Sequence, residues 1–106
     1  MSRLGANRMK AINRPFYFYL VGSSENGPTK IGMSSNLNLR LLQLQTGNPE
    51  KLEFLYTQEC GDCFLAETIE SAVLNRFRNR ALCGEWVSAS KQEILEWLEQ
   101  AGLTEL

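Results

Sequence analysis

A chain of 106 residues suffices for one domain around one hydrophobic core and is too short for two. With 43% hydrophobic and 22% charged residues and a net charge of −1, it is neither a disordered polymer, a coiled coil, nor a protein that coats polyanions by charge alone. It contains no histidine, which removes every mechanism that needs an imidazole base and leaves Tyr, Lys, Asp, Glu and water to move protons.

Residues 1–14 carry Arg3, Arg8, Lys10 and Arg14 and no acid, and are expected to form a basic arm. Residues 15–102 are expected to form the single domain, with 103–106 as a tail. From Phe16 to Val21 an aromatic and β-branched run ending at Gly22 predicts a strand. The turn-forming stretch Ser23 to Pro28 follows, with Asn26-Gly27 offering the positive φ of a tight reversal, and Thr29 to Met33 is the return strand. Ser34, Ser35 and Asn36 can cap a helix carried by Leu37, Leu39, Leu41, Leu42 and Leu44, which Thr46-Gly47-Asn48-Pro49 ends. Leu52 to Gln58 alternates as a third strand, and a helix of about four turns runs from Phe64 to Arg78. Glu85-Trp86-Val87 is either a small edge strand or an extended segment. Ser90 caps a last helix, with Ile94, Leu95, Trp97 and Leu98 on its buried side and Gly102 at its end. The order predicts an α+β domain: a small, three-stranded, mainly antiparallel sheet flanked by helices.

No apolar run approaches the ~18 residues of a membrane span, and the first residues lack the apolar stretch of a signal peptide. A cytoplasmic location is the expectation, and three cysteines fit a reducing compartment. Cys60-Gly61-Asp62-Cys63 resembles half a zinc site with Cys83 as a third ligand. No histidine or fourth cysteine completes it, which leaves Asp62 as the one candidate fourth ligand, and a helix-start turn with incidental cysteines is the favoured reading.

Several polar residues fall on apolar faces. Counting by three and four along the second long helix gives Ala66, Ile69, Glu70, Val73 and Phe77, a core stripe with a carboxylate in its middle. Such a group needs a cation, a donor or a metal, and an arginine at the edge of the stripe is the plainest partner. Arg40 borders the Leu37, Leu41 and Leu44 stripe, where it either snorkels or offers its planar donors to a phosphate. Tyr17 and Tyr19 share one strand face with Lys30 near them on the return strand, an arrangement that plain core packing also accommodates.

Phe18-Tyr19-Leu20, Lys30-Ile31-Gly32, Arg40 within Arg40-Leu41-Leu42-Gln43-Leu44-Gln45-Thr46-Gly47, Glu70, Phe77 and Glu85-Trp86-Val87 occur in that order. Together they resemble the GIY-YIG nuclease superfamily, in the phage-type branch whose second motif reads Lys-Ile-Gly. The resemblance spans Phe16 to Val87 and implies hydrolysis of DNA phosphodiester bonds with one divalent ion, Mg²⁺ or Mn²⁺. Glu70 would hold the metal and Arg40 the scissile phosphate. Tyr19, with Tyr17 nearby, would position or deprotonate the attacking water or bind the phosphate. Lys30 would either take a proton or bind phosphate as a plain cation. Arg14, Arg76, Arg78 and Arg80 would contact phosphates outside the site. A second copy or a larger protein would supply the choice of target, and a nucleoid-associated location also fits. The first motif lacks its glycine and isoleucine, Leu74 stands where a histidine is common, and Val87 replaces an aromatic. Two alternatives stay open: a nucleic-acid-binding domain of this fold without turnover, and a protein-interaction module using the acidic last helix.

Overall fold

The computed structural model describes residues 14–104, so Arg3, Arg8 and Lys10 of the basic arm and the last two residues lie outside the described residues. Five strands and three helices follow in order: β1 (Tyr17–Gly22), β2 (Thr29–Ser34), α1 (Leu37–Gln45), β3 (Glu53–Glu59), α2 (Cys63–Arg76), a 3₁₀ turn (Arg78–Arg80), β4 (Ala81–Cys83), β5 (Trp86–Val87) and α3 (Lys91–Gln100). The strands form one antiparallel sheet in the order β3-β1-β2-β5-β4. The α+β class stands, and the sheet has two short strands beyond the three expected. β5 is the expected Glu85-Trp86-Val87 segment, and β4 is its partner across a reversal at Gly84.

The β1–β2 reversal departs from the expectation. Gly27 N–H donates to Ser24 O at 3.3 Å, and neither Asn26 nor Gly27 takes a positive φ. The six residues between the strands give the chain enough length to turn without the left-handed pair that a two-residue hairpin requires. The helix starts follow the capping chemistry. Asn36, Asp62 and Ser90 each accept the backbone N–H three residues on, at Leu39, Leu65 and Glu93. Asp62 is therefore a cap within the Cys60 to Cys63 turn. Cys60 is buried with its thiol donating to Gln58 O, whereas Cys63 and Cys83 are exposed.

The sheet has two covered faces. On one, Phe18, Leu20, Ile31 and Val87 pack with Ala66, Ile69 and Val73 of α2 and Ile94 and Leu98 of α3. On the other, Tyr19, Val21 and Leu52 pack with Leu37, Leu41 and Leu44 of α1 and with Phe54 and Trp86. Period-two alternation along β1 sends Tyr19 to the α1 face and its neighbours Phe18 and Leu20 to the other. No described helix is long and apolar enough to cross a membrane.

Candidate active site

Tyr19 and Gly32 are directly opposite in the β1–β2 register, so their side positions share the α1 face of the sheet. Gly32 has no side chain, and the phenol of Tyr19 lies in the space a side chain would take. A Cβ there would sit 2.3 Å from Tyr19 Oη and 2.4 Å from Cζ. Phe54 of β3 backs the Tyr19 ring edge-on at 5.6 Å, and the residue is 1% exposed. Arg40 of α1 then donates from Nε to Tyr19 Oη at 3.0 Å, and from Nη1 to Gln43 Oε1 at 3.3 Å one turn along the helix. The guanidinium is thereby held on two sides, with other N–H groups left to donate.

Burial pushes the Tyr19 phenol above its ordinary range, against the hydrogen bond and charge of Arg40; Glu85 and Glu70 add to the rise. The hydroxyl accepts from Arg40 and keeps its own proton to donate. Tyr17 lies two residues away on the same strand face, half-buried, and no hydrogen bond joins its hydroxyl to Arg40, Lys30 or Glu70. Lys30 of β2 is opposite Val21 on one side and Trp86 on the other. Its Nζ donates to Glu85 Oε1 at 3.0 Å.

Glu70 reaches the same neighbourhood from α2. Desolvation by the surrounding protein raises its carboxyl above the usual carboxylate range; Glu85 and Glu67 raise it further, while Lys30 and Arg40 oppose them. The expected arginine at the edge of its stripe does not pair with it. Among the described residues no salt bridge or hydrogen bond closes on the Glu70 carboxylate, and no unsatisfied buried oxygen is left, so its oxygens reach solvent. A half-buried carboxylate without a protein cation, open to water, is the donor that a hard divalent ion takes, and Mg²⁺ in particular keeps several waters beside one or two carboxylates. Among the described residues no group of three or more His, Cys, Asp or Glu is placed to hold a metal, so an ion here would be held by Glu70 and water.

The outer arginines separate into two kinds. Arg14, Arg76 and Arg78 are exposed, with the Arg76 guanidinium 5.4 Å from the Phe77 ring centre. Arg80 is already engaged by the Glu93 carboxylate and the Ser88 carbonyl, and that carboxylate raises its proton affinity. A hollow of about 570 Å³ beside α3, lined by Glu25, Tyr56, Lys91, Leu95, Glu96 and Glu99 among others, shares no residue with the Tyr19, Lys30, Arg40 and Glu70 group. Chemistry rather than volume marks the site. The sequence names Gln43 and Glu85 within the resembling motifs but gives neither of them a partner at the site. Gln43 was within reach of a helical i, i+3 count from Arg40. Glu85 was not, because its partner is 55 residues away in the chain.

The T5orf172 domain model matches residues 16–102 of the chain. Comparison with curated proteins and with solved structures gives no match. The match covers most of the chain, which belongs to the T5orf172 domain family, a GIY-YIG-related nuclease-like domain.

Proposed function

We propose that this domain is a metal-dependent DNA endonuclease of the GIY-YIG type, in the branch with a Lys-Ile-Gly second motif, cutting or nicking phosphodiester bonds. The observation that carries the reading is the Tyr19–Arg40 hydrogen bond, with Glu70 within electrostatic reach of Tyr19, Arg40 and Lys30. Two cations, a protonated phenol and one solvent-facing carboxylate form the set of groups that attack on a phosphodiester requires.

Arg40, with Nε and Nη1 engaged, offers its remaining N–H groups to a non-bridging phosphate oxygen and stabilises the charge that grows there as water attacks. Because no side chain must be reoriented at that moment, the stabilisation costs little reorganisation. Tyr19, whose phenol is raised by burial, serves as a hydroxyl donor that orients the attacking water or the phosphate, and is a poor base as it stands. Tyr17 is the second phenol on this face. Lys30 adds a second cation for the phosphate. Glu70 holds the divalent ion, Mg²⁺ or Mn²⁺, which when bound supplies Lewis-acid stabilisation and lowers the proton affinity of coordinated water. Arg14, Arg76 and Arg78 lie free to contact flanking phosphates, whereas Arg80 must first leave Glu93. Residues 15–102 are the proposed catalytic unit, with target choice supplied by a second copy or a larger protein.

Supercoiled plasmid incubated with the purified protein and Mg²⁺ or Mn²⁺ tests this reading. Open circles or linear product are expected with wild type and none with Glu70→Gln. Identical DNA from both proteins sinks the catalytic claim, and salt-dependent binding without cleavage would then favour a domain of this fold that only binds nucleic acid.

A further inference from the structure

Glu85 belongs to none of the groups assigned to phosphate, water or metal, yet it is tied to β2 twice. Gly84 before it takes φ +57°, a left-handed conformation that lets the chain reverse between β4 and β5 and that a Cβ would strain. The Glu85 carbonyl accepts from Ile31 N–H at 3.1 Å, and its Oε1 accepts from Lys30 Nζ at 3.0 Å. The residue after it, Trp86, is the cross-strand neighbour of Lys30, and Val21 is the neighbour on the other side. The Lys30 side chain is 12% exposed and that of Glu85 43% exposed, so the stem is packed while the carboxylate end meets water. A lysine stem in solvent visits many rotamers, and one packed between two strands with its ammonium anchored visits few.

We propose that Glu85 is the positioning residue for Lys30: the β4–β5 hairpin carries a carboxylate that fixes the Lys30 ammonium, spending one N–H on Glu85 and presenting the other two to the phosphate that Arg40 binds. The catalytic consequence rests on the nuclease reading, and the positioning itself does not. Positioning predicts a loss of activity when Glu85 is removed.

Two measurements on the full chain decide the matter, with Glu85→Ala and, to keep shape, Glu85→Gln, both checked for an unchanged melting profile. The first is ¹H–¹³C NMR of the Lys30 methylene beside the ammonium, where wild type is expected to show two distinct proton shifts and Glu85→Ala a single averaged one. The second is single-turnover plasmid cleavage. Glu85→Ala is expected to lower kcat by about tenfold to a hundredfold while KM moves by less than about twofold. In a Lys30→Met background the same change is expected to add nothing. A Lys30 methylene equally restrained without Glu85, losses that multiply, or increased activity would each overturn the proposal. A wild type that cuts nothing, with Lys30 still losing its restraint in Glu85→Ala, removes the nuclease reading and upholds the positioning.

Discussion

Tyr19 Oη accepts a hydrogen bond from Arg40 Nε at 3.0 Å across the bare backbone of Gly32, so three residues from three elements form one contact. The strand register sets the first and third opposite each other, and α1 delivers the second. The contact depends on a missing side chain as much as on the two that are present.

Gly32→Ala is the sharpest test of that dependence. The added methyl would sit 2.3 Å from Tyr19 Oη, so the phenol must leave its place between Gly32 and Phe54. Overpacking of this kind costs about 1–3 kcal/mol, and chemical denaturation should show it. Cleavage should fall by about a hundredfold or more, because the phenol and Arg40 shift together.

Tyr19→Phe separates packing from chemistry. The ring keeps its place against Phe54, and only the acceptor for Arg40 disappears. Stability should change by about 1 kcal/mol, while cleavage drops by about two orders of magnitude as Arg40 loses one of its two anchors. Denaturation and single-turnover rates measured on the same preparation check both.

Glu70 makes stability depend on pH in a definite direction. Its carboxyl is raised in the folded protein by desolvation and by Glu85 and Glu67, so folding favours the protonated form. The ionised carboxylate therefore costs stability as pH rises through its folded value, and this cost is absent well below the unfolded value. Without metal, Glu70→Gln should melt slightly higher than wild type at neutral pH, and the difference should vanish in acid. The effect is small because solvent reaches the carboxylate. Mg²⁺ should stabilise wild type and leave Glu70→Gln unchanged, since only the carboxylate can hold the ion.

The outer arginines should not contribute equally to DNA affinity. Removing Arg76 or Arg78, both exposed, should weaken binding at every sequence and make the salt dependence shallower by about 0.9 for each phosphate no longer neutralised. Arg80→Ala should have less effect, because its guanidinium already faces Glu93 and Ser88 O. Fluorescence anisotropy with a short duplex across a salt series measures both.

Much of the fold was legible because local chemistry and tertiary outcome agree. The aromatic and β-branched run from Phe16 to Val21, the Asn36 and Ser90 caps and the leucine spacing of α1 each name their element, and the packed structure keeps it. β4 was not legible: Ala81, Leu82 and Cys83 are exposed and carry no alternation, and they form a strand only by pairing with β5. Asn26-Gly27 misled in the other direction, since the chain does turn there but without the positive φ the pair offers. Within the candidate site, Arg40, Tyr19, Lys30 and Glu70 stood out as polar residues on apolar faces. Their partners did not, because the anchoring of Lys30 by Glu85 and the seat of Tyr19 over Gly32 are consequences of register, which no single stretch of sequence contains.

The most direct test of metal-dependent cleavage at this site is single-turnover cutting of supercoiled plasmid in Mg²⁺ by wild type, Arg40→Ala and Glu70→Gln at saturating protein. Wild type should convert the plasmid to nicked or linear form. Both variants should fall at least about a hundredfold below it, while still folding and, for Glu70→Gln, still binding DNA. Equal rates from all three proteins, or uncut plasmid with wild type in both Mg²⁺ and Mn²⁺, would contradict the nuclease assignment.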